Sequence, residues 1–110
     1  MRTLWLIAAL VVGFSGANVA LASDLPPQIE ADKGFMTCYA SLADMVKADK
    51  RYKRIPLDTE EQANAFVVQL HKLYTGQSTD VAFYAWMSMN YPGHDYEQVV
   101  VSEHVRRCKR

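Results

Sequence analysis

Apolar residues spaced three and four apart recur along most of the chain, the pattern of helices that bury one face. The first stripe is Phe35, Cys38, Tyr39, Leu42, Met45 and Val46, which predicts a helix ending near Ala48 with Cys38 facing inward. The clearest stripe is Ala63, Phe66, Val67, Leu70, Leu73 and Tyr74. Ahead of it, Asp58 with Glu61, or Thr59 with Gln62, can form a capping box. Glu60 and Glu61 suit the positive end of that helix dipole, and Gly76 suits a left-handed stop.

Ser78 or Thr79 can cap a third segment. Residues 81–91 are apolar except Ser88 and Asn90, which predicts the central and most buried element. A strand is open there, but Ala82, Ala85, Met87 and Met89 favour helix. After the Pro92, Gly93 turn, Asp95 can cap a last helix with Gln98 at its third position. Tyr96, Val100, Val101, Val105 and Cys108 supply its stripe, and Arg106, Arg107, Lys109 and Arg110 suit its negative end. Three consecutive β-branched residues, Val99, Val100 and Val101, keep a strand reading open over residues 96–105. Residues 23–34, with Pro26 and Pro27, read as a polar lead of irregular or extended backbone. The expected fold is all-α: a small four-helix domain over residues 35–110.

The start of the chain has a different pattern. Arg2 precedes an uncharged stretch over residues 4–14, and small residues follow up to Ala20, Leu21 and Ala22. These are the zones of a cleavable export signal over residues 1–22. The apolar stretch is too short for a bilayer span, which takes about 20 residues. The mature part, 88 residues from Ser23, is expected in the periplasm or secreted, without stable membrane insertion. It keeps eleven Lys and Arg against twelve Asp and Glu, a net charge of −1 with His neutral. That balance argues against a nucleic-acid binder.

In an oxidising compartment, Cys38 and Cys108 are expected to pair, closing a loop of about 70 residues. A reactive or metal-binding pair is the alternative, but Cys-x-x-Cys spacing is absent and no His lies close to Cys38 in sequence. The bond would clip the first helix to the last.

Candidate chemistry is sparse. Met87, Met89 and His94 are soft ligands of the kind that hold Cu(I), yet residues two apart on a helix point in nearly opposite directions. The two sulfurs could share an ion only in an extended segment. His71, His94 and His104 lack zinc-site spacing, and each is expected to be structural or on the surface, His104 on a polar face. No carboxylate pair, nucleophile turn or glycine-rich phosphate loop suggests catalysis, so the chain reads as a non-enzyme with no implied cofactor.

Residues 47–54 hold five basic side chains among eight. They read as a solvated connector or as a docking patch for an acidic partner. Tyr52, among Lys50, Arg51, Lys53 and Arg54, is expected on the surface, and Tyr with Arg is a frequent interface anchor. These five residues are the candidate partner-binding site.

In plan, with an export signal, under 100 mature residues, helices and one disulfide, the chain resembles two kinds of bacterial periplasmic protein. One is the helical immunity proteins that neutralise secreted cell-wall-degrading toxins. The other is the small acid-stress chaperones. No motif carries the likeness, so no functional residue is transferred. The expected function is a small exported protein-binding domain of immunity or inhibitor type. The alternative is a periplasmic stress chaperone or a Cu(I)-handling protein.

Overall fold

A computed structural model describes residues 25–109, and the expected export signal over residues 1–22 lies outside them. The described residues form five helices and no strand: α1 Pro27–Glu30, α2 Lys33–Ala48, α3 Glu60–Thr75, α4 Asp80–Asn90 and α5 Asp95–Cys108. None is long and apolar enough to cross a membrane. The all-α expectation holds, and the β-branched run Val99, Val100, Val101 is helical within α5. Its helical burial rhythm, at Glu97, Gln98, Val101, Ser102 and Val105, outweighs the modest β preference of valine.

Short-range signals set the helix ends. Thr59 and Gln62 form the capping box of α3: Gln62 N donates to Thr59 Oγ1 at 3.1 Å, and Thr59 N donates to Gln62 Oε1 at 3.0 Å. The chain leaves α3 through Gly76 at φ 83°, a conformation that favours glycine. Thr79, rather than Ser78, caps α4 by accepting from Ala82 N at 3.1 Å. Asp32 caps α2 by accepting from Phe35 N at 3.1 Å.

Several local expectations are corrected. The lead over residues 23–34 is not simply irregular or extended, because Pro27 at the first helical position starts the one-turn α1. Leu25 and Ile29 join the core there. The cap of α5 is His94, without a side-chain cap bond, so Asp95 already lies inside the helix.

The largest correction concerns the centre. α4, the most apolar helix, buries only Phe83 and Met87. α5, the last helix, packs against α2, α3 and α4. It holds this central place while burying Glu97, Gln98 and Ser102 beside Val101 and Val105. Buried polar groups are tolerable where they are hydrogen-bonded. Ser102 Oγ meets Tyr84 Oη at 2.9 Å, and the carboxyl of Glu97 is satisfied by two partners. Cys38 and Cys108 are joined, with their Cα atoms 5.9 Å apart, so α2 is clipped to the end of α5.

Candidate functional site

The basic connector leaves α2 after Ala48, turns through Lys50 and Arg51 with Tyr52 N donating to the Asp49 carbonyl at 3.2 Å, and then runs without regular structure against the start of α5. Ile55 and Leu57 anchor it by burying their side chains in the core. Glu97, only 1 % exposed, accepts the Lys53 amide on Oε2 at 2.8 Å, and its Oε1 lies 3.2 Å from His94 Nδ1. Lys53 Nζ donates to the Gly93 carbonyl at 3.1 Å. Asp49 holds the other end, accepting from Arg51 N at 2.9 Å and from Tyr96 Oη at 2.7 Å. The Tyr96 phenol, followed by the Arg51 amide, holds the Asp49 carboxyl below the usual aspartate range. The same bond to Asp49 raises the phenol of Tyr96.

The five candidate partner-binding residues therefore sit in one place but in different states. Lys50 is exposed. The Arg51 guanidinium stacks 4.8 Å from the centre of the Tyr96 ring. Arg54 pairs with Asp58. Tyr52 corrects the sequence reading: it is half-buried and packed against the core. Its ring covers apolar surface, as amphipathic side chains often do. The connector is thus pinned structure whose basic side chains remain at the surface, with Lys50, Arg51, Lys53 and Arg54 all exposed.

A second surface, on α4, is one that periodicity misjudged. Val81, Ala85 and Met89 follow one another at intervals of four on α4, so they share a face. That face is exposed, Val81 by 76 % and Met89 by 83 %. Ala82 is exposed next to it, and half-buried Trp86 packs edge-on to Tyr91 with ring centres 5.9 Å apart. No charged side chain occurs between Asp80 and Asp95 except His94 when protonated. Past the end of α4, Tyr91 is buried, and its phenol is raised by burial and by the negative charge of Asp58; the connector reaches this turn through Lys53 Nζ, which donates to the Gly93 carbonyl.

The helical backbone of α4 also bears on the copper reading. Met87 points into the core and Met89 into solvent, while His94 is engaged with Glu97. The extended segment that would let both sulfurs share an ion is absent, so these three residues do not converge.

A third grouping surrounds the disulfide. His104 lies one helical turn before Cys108 and is half-buried, not on a polar face as expected. Its Nε2 is 2.8 Å from Ser41 Oγ, and Ser41 donates to the Cys38 carbonyl at 2.8 Å. Burial lowers the pKa of His104, which keeps the ring neutral at pH 7. Ser41 and His104 resemble a nucleophile and its base, but the serine proton is directed to a carbonyl, the wrong arrangement for activation. Sequence reading overlooked this group because it sought histidines near Cys38. The available signal was the spacing of four between His104 and Cys108. His71 is structural: its Nε2 lies 2.9 Å from Asp32 Oδ2, and Phe35 packs against its ring at 5.0 Å.

No protein-family model, no curated protein and no solved structure matches this chain.

Proposed function

We propose that the chain is a small exported, non-catalytic protein that binds another protein through the outer face of α4 and the adjoining basic connector. The observation that carries this reading is the exposed stripe Val81, Ala85, Met89, bordered by Trp86. Scattered apolar residues on a surface are ordinary, but a continuous uncharged helix face has the character of an interface core. Aromatic, methionine and arginine side chains are enriched at such cores. The connector supplies the rim: its basic side chains Lys50, Arg51, Lys53 and Arg54 are exposed, and Lys53 and Arg54 come close to the Tyr91 end of α4 through the Gly93 carbonyl and through Asp58. The partner that fits is a protein with an apolar surface bordered by acidic side chains. Export is supported by the zones of residues 1–22 and by the disulfide, which persists in oxidising compartments.

The test is co-purification from the native extract with wild type and with a Val81→Glu, Met89→Glu variant. Both side chains are exposed, so the variant should keep its melting temperature. Wild type should yield one stoichiometric complex, the α4 variant should lose it, and Lys50→Glu should weaken it. Equal capture by wild type and the α4 variant removes the face from the reading. A stress chaperone would use the same exposed face, but it would suppress aggregation of unrelated unfolded proteins without forming one defined complex.

A further inference from the structure

We propose that, once the Cys38–Cys108 disulfide is reduced, Cys38, Cys108 and His104 form a zinc site that replaces the covalent clip between α2 and α5. Both sulfurs and a ring nitrogen of His104 already lie within 4.8 Å of one another. His104 and Cys108 stand four apart on α5, so both project from one face toward α2. Cys38 faces them from α2, with its Cα 5.9 Å from that of Cys108. In a tetrahedral zinc site, Zn–S is about 2.3 Å and Zn–N about 2.0 Å, which sets neighbouring ligand atoms roughly 3.5–3.8 Å apart. The sulfurs must separate to that distance, and the imidazole nitrogen, within 4.8 Å of both, must close to it.

The donor set selects the metal. Two thiolates and one imidazole are soft and borderline ligands that suit Zn²⁺, and a fourth, oxygen donor completes the tetrahedron. With Nδ1 of His104 on the metal, Nε2–H donates to Ser41 Oγ, 2.8 Å away, which orients the ring, and a water supplies the fourth oxygen. In the chemistry, a dithiol reductant gives two electrons and two protons to the disulfide and becomes a disulfide itself. Cys38 and Cys108 are left as thiols. Each thiol then releases its proton to solvent as its sulfur binds Zn²⁺. This inference is independent of the α4 surface and stands or falls separately from it.

The experiment uses the purified disulfide-bonded protein, reduced without oxygen by a phosphine and titrated with Co²⁺ alone, then with Zn²⁺. The phosphine takes its oxygen from water and leaves both sulfurs as thiols. The reduced protein should bind one Co²⁺ with the thiolate-to-cobalt band and strong visible absorption of a tetrahedral site. Zn²⁺ should bleach that spectrum. The oxidised protein should show neither band. His104→Ala removes a direct ligand and should weaken binding at least about tenfold, the lower end of what loss of an outer-shell partner already costs. Circular dichroism covers the case in which reduction loosens the fold: added Zn²⁺ should then restore the helical signal. Absence of a tetrahedral cobalt spectrum in the reduced protein overturns the proposal. So does equal cobalt affinity in wild type and His104→Ala, or failure of Zn²⁺ to restore lost helix.

Discussion

The main-chain amide of Lys53 donates to Glu97 Oε2 at 2.8 Å, across 44 residues of sequence. A carboxyl group buried in the most connected helix thereby fixes the connector between α2 and α3. Its other oxygen, facing His94 at 3.2 Å, ties the same carboxyl to the start of α5. Glu97→Ala would leave the Lys53 amide without its acceptor and should cost roughly 2–3 kcal/mol. In a domain this small, that corresponds to a fall in melting temperature of about 10 °C or more. Glu97→Gln, which keeps an acceptor oxygen, should lose less. An alanine variant that melts with wild type would show that Glu97 does not hold the connector, leaving it to Ile55, Leu57 and the Asp49 bonds.

The disulfide closes a loop of 70 residues. Chain-entropy reasoning assigns such a closure about 4 kcal/mol, a large share of the roughly 5–15 kcal/mol by which domains are stable. Cys38→Ser, and reduction of wild type in the presence of a metal chelator, should each lower the denaturation midpoint by a comparable amount. Superimposable oxidised and reduced unfolding curves would deny the bond this role.

Acid should weaken the junction between α1, α2 and α3 through Asp32. The hydrogen bond from His71, followed by the amide of Phe35, holds the Asp32 carboxyl below the usual aspartate range. A depressed folded-state pKa means that the stabilisation is present above the ordinary aspartate value. It is lost as pH falls through the depressed one. Wild type should therefore lose stability as pH falls from the ordinary aspartate range down through the depressed value. Asp32→Asn keeps a capping oxygen but removes the charge, so its denaturant midpoint should fall less over that interval. Parallel pH profiles for the two proteins would remove Asp32 as a source of acid sensitivity.

Gly34 lies in the first turn of α2, and glycine is a weaker helix former than alanine. A Cβ there would meet Tyr74 Oη at 2.5 Å, whereas the next ring atom, Cζ, is 3.7 Å away. The Tyr74 ring can retreat only by disturbing its contacts, since Phe35 packs on it at 5.5 Å and Lys109 Nζ sits 4.9 Å from its centre. Gly34→Ala should thus lower the melting temperature despite its better helix propensity. Adding Tyr74→Phe should recover about 1 kcal/mol, the coupling expected of residues in contact. If Gly34→Ala raises stability on its own, the close approach of α2 to Tyr74 is not what requires glycine.

Much of this protein is determined by the sequence alone. The stripes of α2 and α3, the Thr59 and Gln62 box, the Gly76 stop and the pairing of the only two cysteines are all legible in the order of residues. Each depends on hydrogen bonds or periodicity spanning a few residues, or on a choice with one option. Tertiary structure decided the rest. It put α5 rather than the more apolar α4 at the centre, left Val81 and Met89 in solvent, buried Glu97 beneath Lys53, and set His104 beside the disulfide. Apolar content says how much surface a helix can bury, but not which neighbours arrive to cover it. That depends on contacts between residues tens of positions apart, whose geometry no local pattern contains.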